Sequence, residues 1–151
     1  MLAAKSIALD GQRTGLSMSK QKPIVFFDGY CGLCNWFVNF ALARDKNHRL
    51  LFAPLQGQMA NTLLMKHEVV TAESVILYDR DSGKSYRESD AILFALIHIG
   101  GMFKFASILR IIPRFIRDSA YRFIARHRYQ WFGKRDVCRL PTPEERDRFL
   151  D

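Results

Sequence analysis

Cysteine is scarce in this chain, and its distribution excludes a whole class of protein. Only three of 151 residues are Cys. Cys31 and Cys34 stand three apart and Cys138 lies alone far downstream, unlike the even, spread set of a small secreted disulfide framework. A reducing compartment is expected, and we read it as the cytoplasm. Long apolar runs are missing too. The stretch Ala91–Ile97, carried on to Ile99 around His98, is well short of the ~20 residues that cross a bilayer. Lengthening it would bring Gly100, Gly101, Lys104 and Arg110 into hydrocarbon. At the N-terminus, MLAAKSIALDGQRTGLSMSK offers one short apolar stretch broken by Lys5 and followed by Asp10, where a signal peptide carries about seven to fifteen apolar residues. No export signal is read. Residues 1–21 are polar and aperiodic and are expected to form a flexible leader, with Met18 a candidate start and 22–151 a single domain. His48, His67, His98 and His127 show no paired spacing of the HExxH kind. There is no internal repeat.

What is present is enough for a core. Hydrophobic residues make up 48% and charged residues 25% of the chain, with twelve Phe, five Tyr and two Trp. A composition of that kind folds without disulfide staples, so the cysteines need another explanation. The net charge is +8, and the excess crowds the C-terminal third, from Arg110 and Arg114 through Arg126 and Arg128 to Arg139. Nucleic acid, an anionic membrane surface and an acidic partner all suit such a charge. A solvated helix face suits it as well and is preferred.

Periodicity gives the order of elements. PIVFFD, 23–28, is a buried strand, and from Cys31 the period changes to a helix whose wide apolar face takes Cys34, Trp36, Phe37, Phe40 and Ala41. RLLFAPL, 49–55, is a second strand, and Gln56 to about Lys66 is helical. SVILYD, 74–79, turns through DRDSGK into a short SYRES strand, making a hairpin. Ser89 or Asp90 is expected to cap a helix through AILFALIHIG that Gly100 and Gly101 end. Residues 102–112 and 113–131 predict two further helices divided at Pro113. The second has Phe115, Ile116, Ala120, Phe123 and Ile124 in one stripe, expected to pack inward. Strand, helix, strand, helix, hairpin, helix is mixed α/β, an order that accommodates a thioredoxin-like mixed sheet flanked by helices, with a C-terminal helical extension.

The chemistry sits in FFDGYCGLCNWF, residues 26–37. A CxxC at the start of a helix turns its first sulfur toward unpaired N–H groups and the positive end of the helix dipole, both favouring thiolate. Cys31 is therefore the expected nucleophile, and Cys34, one turn further in and less exposed, the resolving thiol. Gly32 leaves room for a substrate backbone and Leu33 offers an apolar contact. Asp28 either forms an Asx-type turn with Gly29 or passes a proton to and from a cysteine. The turn is favoured, since a carboxylate beside Cys31 would raise the thiol pKa.

DGYCGLC after an apolar strand, APLQ downstream, ESD before a helix, and YRFIARHRYQWFGKRDVC near the end resemble the DCC family of predicted thiol-disulfide oxidoreductases, from about Pro23 to Leu150. The resemblance implies a thioredoxin-like fold and transfers roles to Asp28, Cys31 and Cys34. Cys138 falls where many relatives also carry a cysteine. One departure from thioredoxin proper is that Ala72, Glu73 and Ser74, not a proline, precede Val75. The expected partners are protein or small-molecule thiols and disulfides, with peripheral membrane contact open and nucleic acid disfavoured. No bound cofactor is required, because the cysteine pair carries two electrons.

Two rival chemistries use the same residues. Cys31, Cys34 and Cys138 joined by His127 or another histidine would make a structural zinc site, but a second tight ligand pair is missing. FFDG is similar to the nucleophile motif of haloacid-dehalogenase-like phosphatases, which place a second Asp two residues on, where this chain has Tyr30. A basic module binding nucleic acid or a membrane surface is the non-enzymatic alternative.

Overall fold

The computed structural model describes residues 20–64 and 75–150. The expected leader falls almost wholly outside them, as do Ala72, Glu73 and Ser74. Four strands form one sheet in the order β2-β1-β3-β4. They are β1 (Ile24–Phe27), β2 (Leu51–Pro54), β3 (Ile76–Asp79) and β4 (Lys84–Arg87). β1 runs parallel to β2, with Ile24 opposite Leu51, and antiparallel to β3, while β3 and β4 form the expected hairpin. The parallel pair is joined by a helix, α1 (Gly32–Arg44), as a parallel crossover demands. This is the thioredoxin-like mixed sheet.

β1 is central, so all four of its residues are buried. Its two-residue period sends Val25 and Phe27 to one face, against Phe37, Val38 and Ala41 of α1. Ala91 and Ala95 of α3 (Glu88–Ile99) line the same face. Ile24 and Phe26 go to the other face, against Ala60 of α2 (Gln58–Leu63). The tail closes the β2 edge: Phe149 is bridged to Phe52, and the Leu150 N–H donates to the Phe52 carbonyl at 2.8 Å. Beneath it Asp45, fully buried, receives Arg148 at 2.6 Å and the N–H groups of Arg49 and Leu50.

Three local expectations are corrected. Trp36 is 60% exposed and leaves the core side of α1 to Phe37 and Ala41. Neither Ser89 nor Asp90 caps α3. The helix begins two or three residues earlier than those caps would give, at Glu88 after Arg87, and both side chains turn to a neighbouring helix. Residues 101–111 form a 3-10 helix instead of an α-helix. Its three-residue period puts Phe103 and Ala106, both part-buried, in one row along α3.

The largest difference concerns α4 (Arg114–Phe132), whose apolar stripe faces outward. Phe115 is 71%, Ile116 49%, Phe123 56% and Ile124 42% exposed. Its inner face is polar instead, because the start of α3 offers carboxylates. Arg117 reaches Asp90 at 2.9 Å, Arg122 reaches Glu88 at 3.2 Å, and buried Asp118 takes Arg114 and the Ser89 hydroxyl. Tyr121, Arg128 and Tyr129 continue the same face, at the three- and four-residue spacing of one side of a helix.

Candidate active site

Buried β1 ends at Phe27, and the chain must turn at once to start α1. Asp28 makes that turn, its Oδ1 accepting the Tyr30 N–H at 3.0 Å. Cys31 follows as the N-cap residue, and its sulfur accepts the Cys34 N–H at 3.3 Å. A hydrophobic strand followed by an Asx turn therefore sets the first sulfur on the end of the helix, where its dipole is positive. Asn35, buried one turn in, fixes the loop by donating from Nδ2 to the carbonyls of Gly29, at 2.9 Å, and Cys31, at 2.7 Å.

The two thiols are held apart electrostatically. The Cys31 thiol is lowered from 9.0 to about 7, chiefly by a hydrogen bond with the Cys34 side chain, with the Cys34 N–H and the Arg128 charge adding to it. Burial and the Asp28 carboxylate work against this. Cys34 is pushed the other way, far up, by the same side-chain hydrogen bond and by burial.

Asp28 is also the centre of a network that the motif alone did not reveal. Gln56 Nε2 donates to its Oδ1 at 3.0 Å, while Gln56 Oε1 accepts the Gly29 N–H at 3.3 Å. The Tyr129 hydroxyl donates to Asp28 Oδ2, and Arg128 Nη2 lies 3.7 Å from the same oxygen. Gln56 belongs to APLQ, and Arg128 and Tyr129 to the long terminal motif. Their place in those motifs was the available signal, but spacing could not tell that segments a hundred residues apart meet on one carboxylate.

The exposure expected of Cys31 is corrected. The sulfur-bearing residue is 0% exposed, less than Cys34 at 2%, because the chain that leaves α4 lies across the motif. Gly32 N–H donates to the Gly133 carbonyl at 3.1 Å, Arg135 N–H to the Tyr30 carbonyl at 2.7 Å, and Cys31 forms an antiparallel bridge with Lys134. Gly32 is thus small for a different reason than expected: a Cβ there would sit 2.1 Å from the Phe132 carbonyl oxygen of the chain itself. Gly29 is closed in the same way by the Cys138 sulfur, 2.1 Å from where its Cβ would be. The Cys138 thiol is held above its usual value by burial and the Asp28 charge. On the far side, Leu33, Cys34, Trp36, Tyr121, Ile124 and Arg128 line an apolar pocket of about 230 Å³.

His127, the fourth ligand named for the zinc alternative, donates from Nδ1 to the Phe123 carbonyl and stacks on Trp131 along α4. Among the described residues no three His, Cys, Asp or Glu side chains are grouped so as to hold a metal ion. Nor, among them, is any helix long and apolar enough to cross a membrane.

Known proteins resemble this chain over most of its length. The chain is 35% identical over 134 residues to the uncharacterized protein YuxK of Bacillus subtilis, covering 87% of this chain and 98% of that one. It is 36% identical over 123 residues to a chloroplastic DCC family protein of Arabidopsis thaliana, covering 80% and 70%. No solved structure matches. The DCC1-like thiol-disulfide oxidoreductase pattern spans residues 25–134, from the central strand through the helix that delivers Arg128 and Tyr129 to Asp28, and the chain belongs to that family.

Proposed function

We propose that the protein exchanges disulfides through Cys31 and Cys34. The Cys31 thiolate attacks one sulfur of a substrate disulfide, forming a mixed disulfide and expelling the other sulfur as thiolate. Cys34 then loses its proton and attacks Cys31, releasing the second substrate thiol. The sum is one substrate disulfide reduced to two thiols and one Cys31–Cys34 disulfide formed, with two electrons passed; run backward, the same steps oxidise a substrate. The observation that carries this reading is the Cys31 sulfur at the head of α1, accepting the Cys34 N–H with its thiol lowered to about 7.

Asp28 is the group we assign to the proton. Its charge acts on both sulfurs, and Cys34, held protonated, needs a base before it can resolve. Exchange also requires the Phe132–Arg135 strap to lift, since Cys31 is covered while it is closed. The substrates are protein or small-molecule disulfides, other thiols regenerate the pair, and the cytoplasm is the proposed setting.

Redox titration against glutathione, with alkylation and mass detection, tests the reading. A reversible Cys31–Cys34 disulfide is expected, together with insulin reduction lost in Cys31→Ser. In Cys34→Ser a mixed disulfide on Cys31 should accumulate. Failure of the pair to form that disulfide reversibly would overturn the assignment.

A further inference from the structure

The way α4 is turned leaves a surface that disulfide exchange does not use. Arg117, Asp118, Tyr121, Arg128 and Tyr129 point inward, and Phe115, Ile116, Phe123 and Ile124 face water. The preceding 3-10 helix, Gly101–Ile111, has no buried residue at all. Met102 is 73%, Phe105 71%, Ile108 58% and Ile111 81% exposed. Exposed apolar side chains in such number on consecutive elements mark an interaction site.

Charge says which partner. From Ala91 to Arg117 the chain has no Asp or Glu, yet it carries Lys104, Arg110, Arg114 and Arg117. Arg114 and Arg117 are occupied by Asp90 and Asp118. Arg110 lies over the Phe94 ring, 5.1 Å from its centroid, with its residue exposed, and Lys104 is exposed as well. Apolar side chains mixed with cations alone match the boundary between acyl chains and negative headgroups. A second copy would set like charges against one another, and although Phe105, Phe115 and Phe123 could stack on bases, the aliphatic Met102, Ile108, Ile111 and Ile116 between them suit acyl chains better than a phosphate backbone.

We propose that the 3-10 helix and the outer face of α4 dock the protein peripherally on an anionic phospholipid surface. The apolar side chains enter the headgroup region, and Lys104 and Arg110 meet phosphate. The CxxC motif would then work next to a bilayer.

Co-sedimentation of the full chain with phosphatidylcholine vesicles, with and without phosphatidylglycerol, tests this. Binding is expected only with phosphatidylglycerol and is weakened by salt. Ile108→Glu with Ile111→Glu, and separately Lys104→Glu with Arg110→Glu, should each weaken it by about tenfold or more. Circular dichroism checks that both variants fold. Three results would overturn the proposal: no vesicle binding, binding that both folded variants retain, or a dimer in solution that Ile108→Glu with Ile111→Glu dissolves while vesicles bind nothing. A nucleic acid that binds in place of the vesicles does so too.

Discussion

The substitution Gly32→Ala puts the strap itself to the test. An added Cβ would stand 2.1 Å from the Phe132 carbonyl oxygen, 3.0 Å from its carbon and 3.1 Å from the Gly133 oxygen. All three are backbone atoms, so none can swing aside as a flexible side chain would. The strap must move off the motif, breaking the 3.1 Å bond from Gly32 N–H to Gly133. Overpacking of this kind costs about 1–3 kcal/mol, and the lost hydrogen bond adds about 0.5–1.5 kcal/mol. The roughly 1 kcal/mol that Ala gains over Gly in a helix applies to strap-open and strap-closed states alike and cancels. Opening is therefore favoured by about 1.5–4.5 kcal/mol, roughly tenfold at the low end and a thousandfold at the high end. The assay is the alkylation rate of Cys31 as sole cysteine, in a Cys34→Ser, Cys138→Ser background, where the rate follows the open population. A rate within about twofold of the parent background would mean that the strap does not control access to Cys31, and the reasoning would fail.

Two further outcomes follow from the same geometry. Arg128 favours the Cys31 thiolate, so Arg128→Gln should move that thiol upward from about 7; thiolate at pH 7 falls and the reactivity profile shifts alkaline, as ultraviolet thiolate titration would record. Asp45→Ala leaves Arg148 buried without its 2.6 Å partner and strips the Arg49 and Leu50 N–H groups of theirs, which should cost about 3–5 kcal/mol in urea denaturation with the Cys31 titration unchanged.

Much of the site was legible because its chemistry is local. An apolar run closed by Asp-Gly, then CxxC at the change of period, puts the turn, the N-cap and the sulfur within seven residues, where backbone geometry alone relates them. The hairpin at DRDSGK and the stop at Gly100 were legible for the same reason. Gln56, Arg128 and Tyr129 were visible as parts of motifs, but not as partners of one carboxylate. The stripe on α4 was read correctly as a stripe and assigned the wrong side: hydrophobic period marks a face, yet which face turns inward depends on what the neighbouring element offers, and the start of α3 offers Glu88, Ser89 and Asp90.

By itself, then, the sequence determined the strand and helix order, the thiol pair and its place at a helix start, since all of these are set by neighbours along the chain. Only the tertiary structure decided that residues 132–135 lie over Cys31, that Asp28 gathers Gln56, Arg128 and Tyr129, and that the apolar side of α4 meets water. Those outcomes depend on contacts between segments from about thirty to about a hundred residues apart, whose closeness is the result of packing and leaves no period in the chain.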